Sequence, residues 1–558
     1  MYIRALICLY RYAYVELIIP FTEGKDIMKF RKLICLLTAL CVLVGLAACG
    51  GETKVNMDNS GVVGSTNGGF LVETGDYVYF INGVESYYTT YKTGEVTKGA
   101  LMRVKKSELD KIGTADWDSN KCETVVSKLM VSGDHDAGVY IYGDYVYYAV
   151  PSTEKDTTGT LKNSVLNFFR TKLDGTSTSA KIASEDFSNS AKFRFIQKDG
   201  KVYLIVYGNA LYVYDADARS KVFSYTDTID ELVFDDDNGG SIYFTMKPIN
   251  ENLYDPNSDD AQQEKYHELW KYTVGDKAAE KILSGVGKYT VGGNSDEAIS
   301  LTGVTIDLLK YVGGKLYFSY TSLDSTVAST NYVYIEDGKK SWNDAVVLNY
   351  GDKNASSIFG SKAYYYAADK ILFIDSTYGL MVYDYKANSL VNSDNPDYDS
   401  DYGLSVLYYS DIIVTSTISE VIGDYLYVYD ASNIYYRINL KALFDGEDAE
   451  EFRINALAMD SSWYKPEVVK APNGHELFVG VYTDSVYDSY CYAIDVTALE
   501  EKYNSATDDE KDTFYDTENS SAELKAVVSM TLLGKMDKAD NDAYESYYES
   551  LSASEGDN

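Results

Sequence analysis

Gly75-Asp76-Tyr77-Val78-Tyr79-Phe80 returns almost unchanged as Gly143-Asp144-Tyr145-Val146-Tyr147-Tyr148, and this stretch decides the fold. A turn dipeptide leads into a run in which tyrosyl and aliphatic residues alternate, the pattern of the second arm of a β-hairpin. The phrase recurs as Asp199-Gly200-Lys201-Val202-Tyr203, Gly239-Gly240-Ser241-Ile242-Tyr243-Phe244 and Gly313-Gly314-Lys315-Leu316-Tyr317-Phe318. A degenerate copy stands at Ser361-Lys362-Ala363-Tyr364-Tyr365, and the series closes with Gly423-Asp424-Tyr425-Leu426-Tyr427 and Asn473-Gly474-His475-Glu476-Leu477-Phe478. The seven intervals between these turns average about 57 residues.

Each turn joins two alternating runs, and a third follows, as in Ala100-Leu101-Met102-Arg103-Val104 or Glu268-Leu269-Trp270-Lys271-Tyr272. A shorter, more polar fourth run ends most units, such as residues 179–183 or 280–283. Four short antiparallel strands per unit, with little helical periodicity between units, predict an all-β fold, a β-propeller. A single blade cannot bury both faces, so the blades must close into a ring. The count is eight four-stranded blades, with seven as the alternative because the sixth unit is irregular. A β-helix would want shorter and more regular rungs.

The turn, the Tyr-Tyr strand and a following Leu-Tyr-Arg-x-x-Leu-Asp-Gly phrase, best matched at Phe169-Arg170-Thr171-Lys172-Leu173-Asp174-Gly175, resemble a family of poorly characterised Tyr-rich propeller domains. These are similar to the propellers of low-density-lipoprotein-receptor-like proteins and occur in lipoproteins of Gram-positive bacteria. The shared motifs are structural, and the resemblance brings no catalytic residue with it.

Composition narrows the function classes. The 558 residues carry 50 Lys plus Arg against 85 Asp plus Glu, a net charge of −35, which leaves no basic footprint for nucleic acid. A hydrophobic content of 45% is enough for a core. The aromatic surplus is of the half-polar kind, 55 Tyr against 19 Phe.

From Met28 the chain reads as a basic segment (Lys29, Arg31, Lys32), an apolar run from Leu33 to Leu46, and Leu46-Ala47-Ala48-Cys49. This is the layout of a secretory signal, too short for a well-anchored spanning helix. Its last four residues resemble the lipobox of bacterial lipoproteins, which implies that Cys49 is acylated and becomes the mature N-terminus. The expected organisation is therefore an upstream stretch from a mis-assigned start (1–27), a signal peptide (28–48), a flexible tether (49–66), the propeller (67–534) and an acidic disordered tail (535–558). The mature chain then has 510 residues and a net charge of −38. The expected location is extracytoplasmic, lipid-anchored to the outer side of the cytoplasmic membrane of a Gram-positive cell.

In a propeller the connections from second to third strand, and from one blade to the next, emerge on one face. The long insertions are assigned to that face: 81–99 with Tyr87, Tyr88 and Tyr91; 248–266 with Tyr254 and Tyr266; 285–305 with Tyr289; 393–410 with Tyr398 and Tyr402; and 457–470 with Trp463 and Tyr464. Aromatic rings beside carboxylates suit neutral glycans or peptides. Tyr also fills half-exposed strand positions by propensity alone. Asp397, Asp399 and Asp401 alternate as at the start of a calcium loop, but Tyr408 stands where the twelfth ligand of an EF-hand would be. No other cofactor is implied. Cys122 and Cys491 fall in the first and eighth units, neighbours in a closed ring, where a disulfide would staple the closure; two separate buried thiols are the alternative. His135, His267 and His475 lie in different units, without a catalytic motif.

The leading expectation is a non-enzymatic, membrane-tethered binding or scaffold protein, its partners the bilayer through Cys49 and a glycan or protein ligand. The alternatives are a glycan-active extracellular enzyme using a carboxylate pair in the propeller channel, and a scaffold resembling the eight-bladed outer-membrane assembly lipoproteins.

Overall fold

The computed structural model describes residues 62–63, 67–84, 97–130, 138–152, 154–160, 162, 164–174, 180–183, 185–188, 191–208, 210–226, 229–235, 240–246, 267–285, 288–291, 299–322, 330–350, 354–367, 369–384, 403–455, 465–482, 489–512, 514–515 and 530–537. They form eight antiparallel sheets in sequence order, an eight-bladed propeller. The strands of each blade are lettered a to d in chain order.

Blade 1 is Leu71–Thr74, Tyr77–Ile81, Leu101–Lys105 and Glu123–Val126, with Val62–Val63 paired to its a strand. Blade 2 is Tyr140–Tyr142, Tyr145–Pro151 and Val165–Lys172, its d position shared by Ala180–Lys181 and Phe187–Ser188. Blade 3 is Lys192–Lys198, Lys201–Tyr207, Leu211–Asp215 and Ser220–Tyr225; blade 4 is Ile229–Phe234, Ser241–Met246, Glu268–Thr273 and Glu280–Ser284. A two-stranded ribbon, Lys288–Val291 with Ile299–Thr302, leads to blade 5: Val304–Val312, Lys315–Ser322, Thr330–Glu336 and Val346–Val347. Blade 6 is Tyr364–Ala367, Lys370–Asp375, Gly379–Asp384 and Leu404–Tyr408. Blade 7 is Thr417–Ile422, Tyr425–Tyr429, Tyr435–Asn439 and Phe452–Arg453; blade 8 is Glu467–Lys470, Glu476–Val481, Cys491–Asp495 and Thr531–Leu532.

The a–b turns follow from residues able to adopt positive φ. Asp199 and Gly200 stand at φ 50° and 74°, and Gly313 and Gly314 at 57° and 78°, the two central positions of a hairpin turn whose twist matches that of its strands. The sixth unit departs from the expected register. Tyr364 and Tyr365 belong to the a strand, the turn lies at 368–369, and the b strand is Lys370-Ile371-Leu372-Phe373, with Leu372 at the repeated tyrosine position. The c–d connection of blade 8 begins as helix, Val496–Ser505 and Asp508–Asp512, capped by Asp495, whose carboxylate accepts from Ala498 N at 2.9 Å.

The repeated tyrosine packs blade on blade. Tyr79, Tyr147, Tyr203, Tyr243, Tyr317 and Tyr427 occupy the same b-strand position, and all are buried. Four of them meet a ring of the next blade: Tyr147 with Phe195 at 5.4 Å between centroids, Tyr243 with Tyr311 at 5.1 Å, Tyr317 with Tyr365 at 5.2 Å and Tyr427 with Phe478 at 5.8 Å. Directly opposite on the c strand, Tyr79 faces Arg103, Tyr147 faces Arg170, Tyr243 faces Lys271 and Tyr427 faces Arg437.

Those cations reach forward to the next blade. Arg103 donates to Leu173 O at 3.0 Å, Arg170 pairs with Asp217, and Lys271 pairs with Asp337 at 2.5 Å. Arg437 is shared by Glu476 at 2.7 Å and Glu500 at 2.5 Å. In each case an acceptor lies in the c–d connection of the following blade, so the Tyr and Arg of the repeat form an inter-blade latch on the a–b and c–d face.

The ring closes without strand exchange, because all four strands of blade 8 come from residues 467–532. One apolar cluster joins blade 1 residues such as Leu101 and Val126 to Val479, Cys491 and Leu533. Polar ties flank it: Asn473 N donates to Asp110 at 2.8 Å, and Trp117 Nε1 donates to Leu532 O at 2.9 Å. The fully buried Asn82 gives Nδ2 to Lys535 O at 2.6 Å and accepts from Lys535 N at 3.2 Å. Cys122 and Cys491 lie together in this seam as buried free thiols, and Cys122 Sγ donates to Leu533 O at 3.0 Å.

Candidate functional site

The chain alternates direction four times per blade, so b–c and d–a connections leave on one face and a–b and c–d connections on the other. The b–c connections run from three residues at 208–210 and 376–378 to 19 and 21 at 82–100 and 247–267, and the c–d connections of the other face from four at 216–219 to 35 at 496–530. Segments 81–99, 248–266, 285–305 and 457–470 belong to the b–c and d–a face, as expected. Segment 393–410 does not. It enters the c–d connection 385–403 of blade 6 and continues into Leu404–Tyr408, which assigns it to the opposite face. The reason is the sixth blade's register: with the hairpin turn at 368–369 rather than at residue 361, Gly379–Asp384 is the third strand and the long insertion follows it.

Most of the aromatic candidates (Tyr87, Tyr88, Tyr91, Tyr254, Tyr266, Tyr398, Tyr402, Trp463, Tyr464) lie outside the described residues, as do Cys49 and the acidic positions Asp397, Asp399 and Asp401. The backbone of Tyr289 lies in the ribbon before blade 5, and its side chain is outside the description. No group of three or more His, Cys, Asp or Glu side chains among the described residues is arranged to hold a metal ion.

The axis carries groups that sequence reading did not single out. First strands of blades 4 to 7 touch in succession, which puts the a strands innermost. On the a strands of blades 7 and 8, Glu420 and Glu467 lie close enough to repel each other, with Lys465 nearby. Burial, reinforced by Glu420, holds the Glu467 carboxyl well above the usual carboxylate range; burial also raises Glu420.

On the a strands of blades 4 and 5, burial raises Glu231 although its carboxylate accepts from Leu308 N. Beside it, His267 Nδ1 meets Ile306 O at 2.9 Å and Ile306 N at 3.1 Å, and its Nε2 faces Asp230 at 3.6 Å. That imidazole ties blade 4 to blade 5. His475 is also structural: its Nδ1 meets Asp495 at 2.8 Å, which raises its pKa and pins the a–b turn of blade 8 to its c strand. The available signal for the axial acids is a carboxylate within an otherwise hydroxyl-bearing and aliphatic first run, as in Thr417-Ile418-Ser419-Glu420-Val421-Ile422.

No family model matches this chain, and no curated protein matches it. Among solved structures, it is similar to one from a study of two prolyl endopeptidases, at 11% identity and a TM-score of 0.35 over 64% of this chain and 48% of that one. The chain thus spans about half that protein's length. It is also similar to a computationally designed protein, at 9% identity and a TM-score of 0.34 over 79% and 98% of the two chains. BamB from Moraxella catarrhalis gives 10% identity and a TM-score of 0.32 over 72% and 98%. The count of eight blades rests on this chain's own sheets.

Proposed function

We propose that the protein is an extracytoplasmic lipoprotein of the Tyr-rich, low-density-lipoprotein-receptor-like kind. In this reading acylated Cys49 holds it on the outer side of a Gram-positive cytoplasmic membrane, and its propeller is a non-enzymatic binding or scaffold module for a glycan or peptide. The observation that carries the binding role is the spread of loop length on a common frame: the b–c connections range from three residues to 21 and share their face with the d–a connections. Rigid scaffolds that present unequal loops are where recognition concentrates.

The test is a glycan and peptide array probed with the full chain, combined with Tyr87→Ala, Tyr254→Ala and Trp463→Ala. Saturable binding lost in these variants is expected; an array without saturable binding contradicts the reading. Metabolic labelling with a fatty-acid analogue, abolished by Cys49→Ser, tests the anchor.

A second reading, a glycan-active enzyme, is favoured by the placement of Glu420 and Glu467 on the innermost strands of blades 7 and 8, where burial raises both carboxyls, as a general acid requires. Release of reducing ends from polysaccharide, lost in Glu467→Gln, would establish it.

A further inference from the structure

Between blades 5, 6 and 7 the b–c and d–a face holds a cleft of about 430 Å³ lined by described residues. Its walls are the d–a connections before blades 6 and 7, and its third side is the b–c turn of blade 6. At about 30 Å³ per water molecule, this is room for a small organic molecule rather than for one inorganic ion.

The lining is chemically one-sided. Seven of its eleven residues are Ser or Thr, three are aliphatic, and the only charged one is Lys362. Among the described residues no carboxylate and no aromatic ring lines it, in a chain with 85 acidic residues and 55 Tyr. Thr415 and Ser416 spend their hydroxyls on Ile412 O at 3.0 and 2.8 Å. The hydroxyls of Ser356, Ser357, Ser361, Ser376 and Thr417 make no hydrogen bond among the described residues, and Lys362 makes no ion pair there. The cleft therefore offers an ammonium and five uncommitted hydroxyl donors, with Ile374, Val414 and Ile418 as its apolar wall.

A neutral sugar site ordinarily supplies carboxylate acceptors and an aromatic platform, and this cleft has neither. An anion needs donors, and a polyol needs groups that both donate and accept; hydroxyls do both. We propose that this cleft binds a monosaccharide bearing one anionic group, a phosphate or a carboxylate. Lys362 meets the charge, and the hydroxyls of Ser361, Ser376 and Thr417 meet the sugar. The inference rests on the binding-module reading and gives it a ligand class and a place distinct from the aromatic loops.

The test is calorimetric titration of the full chain with glucose 6-phosphate, glucuronate, glucose and inorganic phosphate. At least one of the two anionic sugars is expected to bind about tenfold or more tightly than both glucose and phosphate, and Lys362→Gln to weaken that sugar about tenfold or more. The order of the two anionic sugars identifies the charged group. Lys362 is exposed, so an unchanged melting midpoint in the variant shows that the fold is intact. Ser376→Ala with Thr417→Val is expected to weaken the sugar but not phosphate. Absence of saturable binding by both anionic sugars, equal affinity for phosphate or glucose, or binding indifferent to Lys362→Gln overturns the proposal. Array binding that survives such a result leaves the wider binding role standing and removes only this site.

Discussion

Replacing Arg437 by Met tests the inter-blade latch most sharply. The guanidinium is 3% exposed, stands 4.4 Å over the Tyr425 ring, and holds Glu476 and Glu500 of the next blade. Met keeps much of the aliphatic stem and removes the charge. Each hydrogen bond between charged groups contributes about 1.5–3 kcal/mol, and the two carboxylates, 30% and 34% exposed, can recover water once freed. The loss thus falls near the low end for two such bonds, about 3 kcal/mol, with the cation–π contact adding about 0.5–1 kcal/mol.

At an unfolding slope of ~3 kcal/mol/M, the urea midpoint followed by Trp fluorescence should fall by about 1 M. Lys441→Ala, which removes a pair exposed on both sides within blade 7, should leave the midpoint where it is. Equal midpoints for the two variants would refute the latch, because they would make Arg437 one more surface cation.

Four further outcomes are expected. Gly534→Ala places a Cβ 1.8 Å from Oδ1 of the buried Asn82, so it should cost about 1–3 kcal/mol and expose the seam to protease; a wild-type digestion pattern would contradict this. His475 has a raised folded pKa, so its bond to Asp495 stabilises fully below the unfolded value near ~6.5 and the effect is lost as pH rises through the folded value. Thermal melts of His475→Gln should therefore differ from wild type at pH 5.5 and converge in mild alkali. Glu467, also raised, stabilises only when protonated, so Glu467→Gln should melt higher than wild type at pH 7.5 and lose that advantage below about pH 4. Burial pushes the Cys122 thiol up to about 12 and Cys491 well above its usual range. Both should resist alkylation in the native protein and react after unfolding, and an unreduced mass lighter by two hydrogens would contradict free thiols.

The blade repeat was legible because it is local: a turn dipeptide and an alternating strand fit within six residues. The sixth blade is hidden in the sequence because Ser361-Lys362-Ala363-Tyr364-Tyr365 imitates a turn and a Tyr strand, while the true b strand carries Leu372 where six of the others carry Tyr and blade 8 carries Phe478. The latches are not local in sequence: Arg437 and Glu500 are 63 residues apart, and only the register between neighbouring blades brings them together. Glu420 and Glu467 were hidden among many acids; what sets them apart is burial on adjacent innermost strands. Lys362 was visible in the sequence, but only the corrected register moves it from a hairpin turn to the wall of a cleft.

The ring closes side-on, with blade 1 against blade 8. Asn473 N and the Asp110 carboxylate meet at 2.8 Å across 363 residues of sequence. With all six native cysteines changed to Ser, a chain carrying Asp110→Cys and Asn473→Cys should be joined internally by a short bis-maleimide at low protein concentration, with one cross-linked peptide pair in the digest. Cross-linking only between molecules, or none at all, would contradict the eight-bladed closure.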